Sequence, residues 1–113
     1  MQETRSTDDG ASWTDPAPLN ANAIGDVESD TYAQLQTGGP GTWVAAWNSY
    51  DSLTSTIGTD LDILFARSID AGVTWTAPSP LNTDADIDAE DDFYPQVSTD
   101  GLGKWVAVWE HVE

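Results

Sequence analysis

The chain has no cysteine, only three Lys and Arg together, one His and one Met in 113 residues. Without cysteine there is no disulfide framework and no thiolate metal site, and the redox compartment cannot be read from it. With 20 acidic residues against those three basic ones, the formal net charge is -17. Nucleic-acid binding and attachment to an anionic membrane both need a cationic face, so both are excluded as expectations. Long apolar runs are also lacking, and Met1 is followed by polar Gln2, Glu3 and Thr4, so neither a membrane span nor a signal peptide is read here. The natural partners of such a surface are cations or basic proteins.

What is present is aromatic and periodic. Six Trp, three Tyr and two Phe argue for a packed core despite the charge. Shifting the chain by 62 positions aligns Ser6–Asp51 with Ser68–Glu113 without a gap, and 22 of the 46 pairs are identical. That density is far above coincidence, so the chain is two copies of one supersecondary unit. The identities include Trp13/Trp75, Pro16/Pro78, Asn20/Asn82, Tyr32/Tyr94, Gln34/Gln96, Trp43/Trp105 and Trp47/Trp109.

Each copy reads as four short strands, because β-branched and aromatic residues alternate between clusters of Gly, Pro, Asn and Asp. The first strand is expected over Tyr94–Thr99 (Tyr32–Thr37 in the first copy) and the second over Lys104–Trp109. The third is expected over Asp62–Arg67 and the fourth over Thr74–Pro80. Strand two has apolar residues on both faces, Trp105, Ala107 and Trp109 on one and Val106 and Val108 on the other, which predicts burial on both sides. Pro78 and Pro80 place strand four at a sheet edge. The chain starts on strand three, at Met1–Arg5, and stops after strand two. Residues 1–20 thus form a half unit, 32–82 a complete one and 93–113 the other half.

Strands three and four are joined by Ser6-Thr7-Asp8-Asp9-Gly10-Ala11-Ser12-Trp13 and by Ser68-Ile69-Asp70-Ala71-Gly72-Val73-Thr74-Trp75. In each, a short acid can accept hydrogen bonds from its own turn and Gly supplies a positive φ. Ser6, Asp8, Gly10, Trp13, Ser68, Asp70, Gly72 and Trp75 are therefore read as structural. The two Trp rings are expected to lie on the sheet, each stabilising by ~2 kcal/mol on burial.

The pattern Ser-x-Asp-x-Gly-x-(Ser/Thr)-Trp resembles the Asp-box, or bacterial neuraminidase repeat, of sialidase-like β-propellers. The resemblance covers both copies. It implies an all-β fold of four-stranded antiparallel propeller blades, about two per chain, and suggests a secreted home. Two blades cannot close a ring. Ring closure by oligomerisation follows, with the last strands of one chain completing the first strands of the next; three chains give six blades and four give eight, and the trimer is favoured. The alternative is that the chain is a piece of a longer propeller, the oligomer then being a property of the piece.

As to chemistry, the alternating acids Asp84, Asp86, Asp88 and Glu90 are candidate oxygen ligands for Ca²⁺, set against a solvated acidic loop that needs no cofactor. Asp88, Glu90 and Asp92 recur as Asp26, Glu28 and Asp30. The run is no EF-hand, since Ala89 stands where Gly is required. Sialidase activity would resemble the family's arginine triad and Arg-Ile-Pro signature. The chain offers only Arg5 and Arg67, at one repeat position, and no Arg-Ile-Pro. No catalytic residue is therefore assigned, and His111, near the end, is expected to fray. Two readings follow, a non-catalytic scaffold or interaction module, and a glycan-binding protein or sialidase-type glycoside hydrolase. Carbohydrate is a candidate partner of the second.

Overall fold

The computed structural model describes residues 1–20 and 29–112. Asp26 and Glu28 of the first acidic stretch lie outside those residues. Among the described residues there is no helix; the chain makes eight strands in three antiparallel sheets, none of them closed. β1 (Gln2–Glu3) pairs with β2 (Ala17–Pro18). β3 (Asp30–Gly39), β4 (Thr42–Ser49), β5 (Asp62–Ser68) and β6 (Ser79–Pro80) form a four-stranded meander in that order. β7 (Asp92–Thr99) and β8 (Trp105–His111) form a final hairpin.

The registers repeat with the sequence. Gln2 opposes Pro18 and Glu3 opposes Ala17, as Leu64 opposes Pro80 and Phe65 opposes Ser79. Strand four is much shorter than the expected Thr74–Pro80. Pro78 has no N–H for the ladder, and Arg67 instead donates its backbone N–H to the Thr76 hydroxyl at 2.9 Å. Only Ser79 and Pro80 then pair with β5, at the sheet edge. Both strand-one copies carry a bulge near their start. Tyr32 and Tyr94 have φ of 56° and 57°, and the ladder shifts register between Thr31 and Gln34 and between Phe93 and Gln96. The extra residue leaves the pairing and turns its side chain off the sheet. The two Tyr rings meet edge to face with centroids 4.6 Å apart.

The core lies between the N-terminal pair and one face of the meander. Ala45, Trp47, Leu64 and Ala66 pack there with Leu19, Ile57 and Ala85, and Met1, Leu53 and Trp75 close its rim. Trp47 is fully buried, whereas Trp13 keeps 62% of its surface exposed, contrary to the expectation that it lies on a sheet. No described strand extends beyond β1–β2 on that side, so its ring has nothing to cover it.

The opposite face of the meander receives β7, which packs on β3 and β4. Trp105 comes so close to Gly38 that a Cβ there would stand 2.5 Å from its ring. On β7–β8 the side carrying Val97, Trp105 and Ala107 is half-buried, and the side carrying Gln96, Ser98, Val106 and Val108 is exposed. Strand two is thus enclosed on both faces only in its first copy. Ala46 is completely buried, but its counterpart Val108 is 60% exposed and Val106 is 68% exposed.

Candidate functional site

The two Ser-x-Asp turns are superimposable in their bonding. Asp8 Oδ1 accepts from Ser6 Oγ at 2.8 Å and from the Ser12 N–H at 2.9 Å, while its Oδ2 accepts from Ser12 Oγ. Asp70 repeats this with Ser68 and Thr74 at 2.8 and 2.9 Å. Each serine hydroxyl also accepts from the following glycine N–H at 2.8 Å. Gly10 and Gly72 have φ of 84° and 85°, in the region L side chains avoid. The Trp13 and Trp75 indoles each donate to the carbonyl of that glycine at 3.1 Å. Hydrogen bonds from Ser12 and Ser6, and from Thr74 and Ser68, hold the Asp8 and Asp70 carboxyls down at about 2. Every oxygen of these acids is engaged within its own turn, which leaves the pair equipped for holding a loop and not for chemistry.

A cleft of ≈ 430 Å³ opens between the N-terminal pair and the meander, with Trp13, Leu19, Leu35, Trp43 and Trp75 among its lining residues. Leu35, 58% exposed, stands at its mouth. The cleft is apolar and presents the same repeat positions, Leu35 and Trp43, that β7–β8 uses as Val97 and Trp105 to dock on the meander.

A third arrangement gathers the acids. Asn82, buried after β6, accepts from the Ile63 N–H at 3.1 Å. It donates from Nδ2 to Asp62 Oδ1 at 2.8 Å and to Asp92 Oδ2 at 2.9 Å. Asp62 and Asp92 are both buried, and burial pushes the Asp62 carboxyl up to about 6. Burial also raises Asp92, against the hydrogen bond from His111. The other oxygen of Asp92 accepts from Trp109 Nε1 at 3.1 Å and lies 2.7 Å from His111 Nδ1. Asp88 lies alongside, its Oδ2 3.8 Å from the same nitrogen. Its Oδ1 accepts the Glu90 N–H at 3.0 Å, and that bond is the leading reason its carboxyl titrates below the usual range.

Of the four acids marked as candidate ligands, only Asp88 enters this group. Asp84, Asp86 and Glu90 are exposed, and among the described residues no metal-like group includes them. The residues that join Asp88 are Asp92, the last acid of the same run, and His111, which lies outside that run. His111 does not fray: it lies at the end of β8 directly across the ladder from Asp92. In the first copy Ser49 stands at the position of His111, and the Met1 amino group, at the position of the Ile63 N–H, donates to Asn20 Oδ1 at 2.9 Å and lies 3.7 Å from Asp30.

No protein-family model, no curated protein and no solved structure matches this chain.

Proposed function

We propose that the chain is a non-catalytic scaffold that assembles with copies of itself, β7–β8 of one chain completing the sheet begun by β1–β2 of the next. The observation that carries this reading is the contrast between the two copies of strand two. In β4, Ala46 is fully buried because β5 pairs its edge and β7 covers its face; among the described residues β8 has neither neighbour. Both missing neighbours are present elsewhere in the molecule, as β1 and as the cleft lined by Leu35 and Trp43. Contact between the two surfaces is head-to-tail and closes where the rotation per chain divides the circle.

The Ser-x-Asp-x-Gly turns support the same reading, since their resemblance to the Asp-box implies propeller blades. A closed propeller uses about four to eight blades. Three chains supply six, and the trimer is the favoured form. In this reading the turns stiffen the rim, and the loops and the Tyr32/Tyr94 pair form the presenting face.

Light scattering after size exclusion, across a range of concentrations, tests the proposal. The expected mass is three times 12.1 kDa, with four times as the eight-blade form. A folded monomer at every concentration would overturn it.

A further inference from the structure

Asp88, Asp92 and His111 each present one donor atom, and the three atoms lie within 4.8 Å of one another. Proximity of acids alone would not mark a site. The independent sign is Asp88 Oδ2, a buried oxygen with no hydrogen-bond partner on a side chain only 8% exposed. It stands 3.8 Å from His111 Nδ1, which is itself 2.7 Å from Asp92 Oδ1. Among the described residues, the imidazole is the only basic group paired with these buried carboxylates. Asp88 Oδ2 thus accepts no hydrogen bond, and the imidazole beside it stands beyond hydrogen-bond distance.

We propose that Asp88, Asp92 and His111 bind one divalent transition ion of the Zn²⁺ class. Bond lengths of about 2.0–2.2 Å to nitrogen and carboxylate oxygen place tetrahedral donors ~3.4 Å apart. The separations of 2.7 and 3.8 Å bracket that figure, so small side-chain rotations suffice. The ion takes the place of the proton between Nδ1 and Asp92 Oδ1. Two carboxylates and a neutral imidazole then balance its double charge: a neutral ring keeps its proton on Nε2, and an imidazolium releases one proton, from Nδ1, to solvent. A nitrogen donor selects this class over Ca²⁺ and Mg²⁺, which prefer oxygen throughout.

The surroundings suit the role. Asp92 is oriented by Asn82 on one oxygen and Trp109 on the other, and Asp88 by the Glu90 N–H, the kind of outer support that fixes metal ligands. His111 is 39% exposed, which leaves an open side for a water molecule as fourth ligand. Ser49 stands where the first copy would need the imidazole, so the expected stoichiometry is one ion per chain.

His111 is the only histidine, so its ring resonances report on the site without any substitution. Chelator-treated protein titrated with Zn²⁺ should show His111 shifting to a metal-bound Nδ1 form, complete at one equivalent, and equilibrium dialysis should retain one ion. Asp88→Asn and His111→Gln should each weaken retention at least tenfold in chains whose circular dichroism is unchanged. Ring resonances unmoved by one equivalent of Zn²⁺ would overturn the proposal, as would Ca²⁺ displacing Zn²⁺ at equal concentration. Should a variant fail to fold, the titration of the unaltered chain decides alone.

Discussion

Replacing Val106 and Val108 together by serine tests the assembly at its least protected point. Both side chains are exposed in the single chain, at 68% and 60%. Fully burying a valine stabilises by about 1.5–3 kcal/mol, so covering these two exposed fractions contributes about 2–4 kcal/mol at each junction. Since 1.4 kcal/mol is tenfold, the double substitution should raise the concentration at which chains associate by roughly a hundredfold. The folded chain itself should change little, because exposed substitutions typically shift stability by about 0.5 kcal/mol or less. Sedimentation velocity over a dilution series measures the first quantity, and a thermal melt at the dilute end the second. Leu102→Ser is the control, being 88% exposed but on the turn between β7 and β8, away from that face. The reasoning is refuted if the double variant associates at the same concentration as the unaltered chain, or if the control weakens association as much.

The absence of cysteine permits a direct check of the pairing. Trp47 opposes Leu64 and Ala46 opposes Phe65, so the repeat puts Val108 of one chain opposite Glu3 of the next; Glu3→Cys with Val108→Cys should oxidise to covalent multimers on a non-reducing gel, since paired Cα atoms lie within disulfide reach. Gly72→Ala should destabilise by about 1–2 kcal/mol from its left-handed φ alone. Its new Cβ would also meet Arg5 Cδ at 3.1 Å, so Gly10→Ala, which meets only Trp13 at 3.7 Å, should melt higher. Asp8 and Asp70 are held at about 2, below the value of 3.8 they regain on unfolding. Their stabilisation is therefore complete above pH ~4 and declines as acid titrates them toward pH ~2; Asp70→Asn should flatten part of that decline in an acid melt series, and an unchanged slope would contradict the turn geometry.

The strand positions were legible because apolar alternation and turn residues agree in both copies, and an offset of 62 supplied each boundary twice. Strand four was overextended: its sequence has strand composition, but Pro78 removes a donor where the ladder needs one. Burial of β8 was misjudged for a different reason. Alternation reports what a strand is built to pack against, and among the described residues no sheet covers Val106 and Val108, which stay 68% and 60% exposed. The acidic group escaped notice because of the bulge. Thr99 opposes Trp105 and Gln96 opposes Val108, a register that would set Asp92 against Val112. One extra residue at Tyr94 moves that partner by one position, to His111. A single backbone irregularity, invisible to residue periodicity, decides whether the imidazole meets the carboxylate.

Asn82 bears on how the molecule comes apart. Its amide joins the first residues of β5 to the first residue of β7, and beside it the Asp92 N–H donates to the Leu61 carbonyl at 2.6 Å while the Leu61 N–H donates to Asp91 Oδ1 at 2.9 Å. Breaking the hairpin from the meander exposes all of these groups at once, with no partial opening that keeps them satisfied. The two sheets are thus one cooperative unit in the sense of native-state hydrogen exchange. The Ile63 and Asp92 amides should exchange together and last, and the loop between Asn82 and Asp92, although polar and exposed along much of its length, is a strap whose two ends cannot be released independently.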